Sequence, residues 1–365
     1  MKKRSRFLRI VVGTVAALAL IVILLLGAVY AAAYHPDDVQ SEEVTCPADA
    51  PELQPGQVVR ILNWNIQYMA SKNYVFWYDI PDGSGPDTRP TREHVFWTLD
   101  EVAAIIERER PDIVLLQEMG KNSVTSHYVN QMQELLQRIP DEYSCYAESY
   151  YWKSAFVPQP EVWGRADMLL GTISRYRMTE ATRYQLPLIP SMWIAQELGL
   201  KRAILEVEMP IAGGQAPLIA LNTHLDAFAQ GTNTMELQVK AVADRLTALN
   251  EEERPWFIGG DFNLLPPDVE IPEEARSYYN VDSEIGYLFD RFQSTATREQ
   301  LTGPNRAQFF THFSNNPVVT GPDRTIDYIF YSERLRFVNY RVWNTGHALE
   351  ISDHMPLFAS FQLPQ

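Results

Sequence analysis

A chain of 365 residues, 46% hydrophobic and 12% aromatic, can bury a large core, which excludes a disordered or fibrous protein. Its 31 Lys and Arg against 46 Asp and Glu give a formal charge of -15, so long-range attraction to polyanions, and with it non-specific nucleic-acid binding, is disfavoured. With 2 cysteines, a thiolate zinc site is excluded.

In chain order, residues 1–9 form a basic head with Lys2, Lys3, Arg4, Arg6 and Arg9. Ile10–Ala33 follows without a charge. As a helix it is about 36 Å long, enough for a ~30 Å hydrocarbon core. The basic flank predicts a single-pass signal-anchor over 10–33, with a cytoplasmic N-terminus and the remainder extracytoplasmic. Ala31-Ala32-Ala33 keeps a cleaved signal peptide as the rival, although its apolar core exceeds the usual ~7–15 residues. Residues 34–57, with Pro36, Pro47, Pro51 and Pro55, read as a linker. Residues 58–365 read as one domain. Cys46 and Cys145 can pair outside the cytoplasm, though their spacing gives no geometry.

Strands are predicted at Val58–Asn65, Ile113–Gln117, Met168–Ser174, Ala203–Glu208, Leu218–Thr223, Trp256–Gly259, Thr325–Tyr331 and Leu335–Val342. Helices are predicted at Arg92–Glu109, Tyr128–Ile139 and Thr234–Asn250; Pro111 stops the first, and Leu237, Ala241, Val242, Leu246 and Leu249 pattern the third. The elements mix without strict βαβ alternation. That favours an α+β fold with helices outside two face-to-face sheets, an αββα layering. Tyr74–Thr91, with Phe76, Trp77 and Tyr78, reads as an ordered surface loop. It shares with Tyr150-Tyr151-Trp152 and Met192-Trp193-Ile194 a choice between core packing and lipid contact.

Apolar runs repeatedly end in polar chemistry. Gly259-Gly260-Asp261-Phe262-Asn263 follows Trp256-Phe257-Ile258, and the glycines allow a tight turn and close approach. Asp261 and Asn263 point the same way in extended chain. Their plain alternative is an Asx turn. Ile113–Gln117 ends at Glu118, a costly carboxylate if buried unpaired and a good partner for a cation. Its plain alternative is an exposed strand end. His224 closes Asn222-Thr223-His224, where a structural histidine is the ordinary reading. Asp327 sits inside Thr325–Ile329 and needs a fixed partner, which Asp353-His354 can supply as an imidazole. These oxygen and imidazole groups suit a hard cation and phosphate esters.

In order, Asn63-Trp64-Asn65-Ile66-Gln67, Leu116-Gln117-Glu118, Asn222-Thr223-His224-Leu225, Gly260-Asp261-Phe262-Asn263, Ile326-Asp327-Tyr328 and Ser352-Asp353-His354 resemble the motifs of the endonuclease/exonuclease/phosphatase superfamily. The resemblance spans nearly all of Val58–Leu363. It implies a DNase-like four-layer αββα sandwich behind the transmembrane helix, with the site where the sheets meet. It implies Mg2+, or Mn2+ in its place, held by Glu118, Asn65 and Asp353. Asp261 would orient or activate water, Asn263 would hold a phosphate oxygen, and Asp327 would orient His354 as base or phosphate-stabilising group. His224 matches the histidine of the DNase and sphingomyelinase branches and would protonate the leaving group or bind phosphate; its acidic partner has no motif here. Ser174 and Arg175 match a structural segment, and His312 receives no role. The expected activity is phosphodiester hydrolysis outside the cytoplasm, on a lipid headgroup or small phosphodiester. The alternatives are an extracytoplasmic nuclease and, from a different class, an inactive phosphate-binding module. The run Asn263-Leu264-Leu265-Pro266 lacks the basic continuation expected of inositol-phosphate phosphatases.

Overall fold

Alternation with a period of two gives each strand one face for the facing sheet and one for the helices. Val59 and Ile61 of β3 (Val58–Asn65) face the inter-sheet core, while Leu62 and Trp64 pack under a helix. The same division holds in β4 (Ile113–Met119), β9 (Leu218–His224), β10 (Trp256–Asp261) and β12 (Asp327–Tyr331). The computed structural model describes residues 2–227, 229–271, 278–280 and 282–365, with residues 2–5 in backbone only. Met1 and the side chains of Lys2, Lys3 and Arg4 in the basic head therefore lie outside the described residues.

Among the described residues the strands form two sheets of 7. The first runs β1 (Val39–Glu42), β7 (Glu180–Gln185), β8 (Ala203–Met209), β9, β10, β12 and β11 (Gln293–Ser294). The second runs β13 (Arg336–Val342), β14 (Leu357–Gln362), β3, β4, β6 (Gly164–Ser174), β5 (Cys145–Val157) and β2 (Val44–Thr45). Leu115 and Ile61 meet Leu205, Ala220 and Phe257 between the sheets. Helix α2 (Arg92–Glu109) covers one outer face through Leu99, Val102 and Ile106. Helix α5 (Thr234–Glu251) covers the other through Val239, Val242 and Leu246. The four-layer expectation holds.

Some boundaries differ. The helix expected over Tyr128–Ile139 is α3, Gln131–Leu136, because Asn130 caps it by accepting from Gln133 N while Tyr128 has a left-handed φ of 61°. The stretch 34–57, expected to be a linker, instead adds β1 and β2, which pair with β7 and β5. Cys46 and Cys145 form a disulfide that ties the end of β2 to the start of β5. Alternating Val39-Gln40-Ser41-Glu42 was too short and polar to signal a strand; β7 makes it one as an edge.

Helix α1 (Lys2–Ala32) precedes the sandwich. Its Arg6–Ala32 part contains an 18-residue stretch of mean hydropathy 3.0 with no buried residue, so it is long and apolar enough to cross a membrane; a signal sequence meets the same criterion. Among the expected aromatic surface groups, Phe76 is buried against Tyr68 and Tyr74, and Tyr151 is buried in the core. Met192, Trp193 and Ile194 are exposed.

Candidate active site

Strands β3 and β4 run parallel, as do β9 and β10, so their C-terminal ends lie at one end of the two sheets. Strands β12 and β14 run antiparallel to their neighbours and begin at that same end, with Asp261 opposite Asp327 and Asn63 opposite Leu357. Asn65, His224, Asp261 and Asp327 are each the terminal residue of the inter-sheet face on its strand. Four separate sequence motifs therefore converge between the sheets.

Glu118 joins them through an irregularity. β4 pairs with β6 up to Leu116 opposite Gly171 and resumes at Met119 opposite Leu169. This bulge, with Glu118 at φ 63°, turns aside a carboxylate that strict alternation would aim at the helices. Asn263 also has a left-handed φ, 51°, a conformation asparagine tolerates better than most residues. Its backbone N–H donates to Asp261 Oδ1 at 2.9 Å, closing an Asx turn. A Cβ on Gly260 would fall on the Thr223 carbonyl, so the Gly-Gly pair lets β10 lie close to β9.

Asp261 is the centre. Its Oδ2 accepts from Asn65 Nδ2 at 3.0 Å and lies 3.3 Å from His224 Nε2 and 3.6 Å from His354 Nε2. Asn65 Nδ2 also reaches Glu118 Oε1 at 3.2 Å. Asn65 Oδ1 accepts from Gln67 N at 3.0 Å, so this amide presents its nitrogen to the carboxylates and its oxygen to the backbone. His354 Nδ1 meets Asp327 Oδ2 at 2.8 Å, the pairing expected from sequence. Asn263 Nδ2 lies 3.1 Å from His224 Nε2. His224 Nδ1, 3.9 Å from Glu118 Oε1, is buried without a hydrogen-bond partner. The acid beside His224 is thus Asp261, with Glu118 facing the other nitrogen.

Beneath the site, Gln117 Nε2 donates to Asn63 Oδ1 at 2.9 Å and to Asn222 Oδ1 at 2.7 Å, bridging the sheets. Trp64 Nε1 donates to the His354 carbonyl at 2.8 Å. These residues hold the frame and leave the chemistry to their neighbours. Ser174 and Arg175 are also structural: Ser174 Oγ donates to the Asp112 carbonyl, and Arg175 pairs with Asp112 and Glu142.

A cleft of about 260 Å³ opens onto Glu118, His224, Asp261, Asn263, Asp353 and His354. Arg202, which stands in no motif, and His312, noted in sequence without a role, also line it. Arg202 is buried and pairs with Asp226 at 3.2 Å, leaving its Nη1 unpartnered. His312 packs edge-on against His354, with ring centroids 4.9 Å apart.

Burial sets the protonation of the site. It pushes Asp261 up to about 7, against the opposing pull of His354. Burial and the charge of Asp353 raise Glu118. Burial raises Asp353, which His354 partly offsets. His354 is held well above the usual histidine range because Asp327 and Asp261 outweigh its burial. His224 is pushed well below that range by burial and by Arg202, and is neutral. Three carboxylates raised together, Asp261 buried and Glu118 and Asp353 half-buried, with an orphaned imidazole nitrogen among them, fit an oxygen-rich cation site. Glu118, His224 and Asp261 form one cluster of ligand atoms close enough to share an ion, and His312, Asp353 and His354 form another.

Residues 64–354 match the Endonuclease/Exonuclease/phosphatase family. The chain belongs to that family. No curated protein matches it in sequence. Solved structures share the fold. The endonuclease/exonuclease/phosphatase from Beutenbergia cavernae DSM 12333 is 19% identical, at a TM-score of 0.57, covering 84% of this chain and 72% of that one. A family protein from Bacteroides vulgatus is 17% identical, at a TM-score of 0.53, covering 84% and 99%. The human Nocturnin catalytic domain with bound sulfate anion is 17% identical, at a TM-score of 0.52, covering 88% and 96%. The chain therefore has the phosphoesterase fold of a hydrolase family, and its acidic and histidine cluster suits the divalent metal typical of that family.

Proposed function

We propose that this protein is a membrane-anchored, Mg2+-dependent phosphodiester hydrolase whose catalytic domain lies outside the cytoplasm, acting on a lipid headgroup or small phosphodiester. The observation that carries this is Asp261, buried between Asn65, His224 and His354, with Glu118 one amide away. Glu118 and Asp353, with Asn65 positioning, would hold the divalent ion. When bound, that ion neutralises phosphate charge and polarises the ester.

The chain's own residues supply the remainder. Asp261, poised near neutrality, takes the proton of the attacking water. His354, kept cationic by Asp327, holds a phosphate oxygen as negative charge develops there. Asn263 donates to a second oxygen. Neutral His224 donates or accepts one hydrogen bond at the phosphate or leaving group; burial disfavours its cationic form. Asp327 keeps the His354 ring oriented through Nδ1.

The test uses purified full-length protein with Mg2+ and bis(p-nitrophenyl) phosphate, phospholipid vesicles and plasmid DNA in parallel. Glu118→Ala and His354→Ala are expected to lose roughly 10²–10⁴-fold in turnover with unchanged circular dichroism. Full activity in either variant sinks the assignment. DNA cleavage far above phospholipid turnover replaces the lipid reading with the nuclease one.

A further inference from the structure

We propose that the catalytic rim faces the bilayer that holds the chain, with Met192, Trp193 and Ile194 seated in its interfacial layer, so that the substrates are phospholipids of that same membrane. This rests on the reading of α1 as a retained anchor and of the site as a phosphodiesterase.

Strand register carries the argument. β1 begins at Val39 opposite Tyr184, and Gln185 N donates to the Asp38 carbonyl at 2.8 Å. Gln185 lies opposite Ala203, and the next pair, Ile204 with Thr223, puts Ala203 beside His224. The chain thus leaves α1 and enters the sandwich at the catalytic end of the sheet. With strands ~4.8 Å apart, the entry point at Asp38 lies about 15 Å across the sheet from His224.

The connection is short and fastened. His35 Nε2 reaches Glu197 Oε2 at 2.7 Å in α4 (Trp193–Leu198). Tyr34 packs edge-on against Tyr150 at 6.3 Å, with the Arg183 guanidinium 5.8 Å from its ring. Tyr30, near the end of α1, lies 4.2 Å from the His35 ring. A domain joined in this way cannot swing freely about its anchor. The membrane surface must lie beside α4.

That neighbourhood carries what an interface accepts. Met192 is 82% exposed, Trp193 43% and Ile194 46%. At the same end, the β5–β6 hairpin presents Phe156 and Trp163, whose rings pack 5.4 Å apart; Val157 opposite Gly164 places this tip beyond the end of β4 that bears Glu118. Tryptophan with aliphatic neighbours favours the headgroup layer, where an amphipathic ring satisfies both its apolar body and its N–H. No charged side chain interrupts Met192-Trp193-Ile194.

The experiment places the full chain in phosphatidylcholine nanodiscs with Mg2+. With Cys46 and Cys145 paired, nitroxide labels go to an introduced Ile194→Cys and, as the control on the far end of the sheets, Val338→Cys. Power-saturation spectroscopy with oxygen and a nickel chelate is expected to place the first label in the bilayer interface and the second in water. Trp193→Asp with Ile194→Asp is expected to lower phosphatidylcholine hydrolysis at least ten-fold while bis(p-nitrophenyl) phosphate turnover stays unchanged. Equal aqueous accessibility of the two labels overturns the proposal. So does undiminished lipid hydrolysis by the double variant, or a mass showing α1 removed. If the parent protein turns over no phosphodiester, the catalytic reading falls and the substrate assignment with it, while label depth still decides the orientation.

Discussion

Asp261 and Asp79 show how burial, with the charges beside it, tunes single carboxylates. Asp261 sits at about 7, so below that pH it carries the proton it would need to accept. Turnover of bis(p-nitrophenyl) phosphate is expected to rise with pH through this range, and Asp261→Asn to abolish both the activity and the rise. A flat profile between pH 6 and 8 in the parent would remove Asp261 as the acceptor. Asp79 is raised from 3.8 to about 7 by burial and by nearby Asp353, although Phe76 N donates to it. The folded state therefore binds its proton more tightly than the unfolded chain. Its stabilising contribution is complete below about 3.8 and is lost as pH rises to about 7. In chelator, melting temperatures of parent and Asp79→Asn should differ in pH slope over that window, the parent falling more steeply. Parallel slopes would contradict this.

At the scale of elements, the bulge in β4 and the strands before Val58 matter most. The bulge explains why Glu118 reaches the cleft, against the parity of Ile113, Leu115 and Gln117 on the inter-sheet face. Strands β1 and β2 extend both sheets, and the Cys46–Cys145 bridge closes a separation of 99 residues. Loss of such a native bridge costs about 2–5 kcal/mol. A fragment of residues 34–365 should therefore melt well above one of residues 58–365, and reductant should narrow the gap. Equal, reductant-insensitive melting would show that the N-terminal strands contribute nothing.

For the whole molecule, the decisive relation is between α1 and the rim. The strand order puts the entry of the chain, α4 and the catalytic residues at one end of the sandwich. An acidic surface gives little long-range help in finding a substrate. In the proposed orientation, a cleft held against the bilayer would replace that attraction with proximity. The activity contrast between the Trp193/Ile194 double variant and its parent is a test at this scale, since those residues touch none of the catalytic groups.

The strand cores, α2, α5 and the ordered polar endings were legible in the sequence, because each depends on local periodicity and on costly groups placed at the ends of apolar runs. Asn65, His224, Asp261 and Asp327 even share the parity of the inter-sheet residues around them, which the sequence displays without saying where the strands lie. Other features depended on partners distant in sequence. β1 is polar and short until β7 gives it hydrogen bonds. Arg202 and His312 line the cleft only because β8 and the loop before β12 arrive beside it. Glu118 is aimed by a register irregularity between β4 and β6. The residues alone determined which chemistry is present; only the register of the strands decided where each group points and which end of the sandwich lies beside α1, because pairing geometry is set by both strands of a ladder and cannot be read from one.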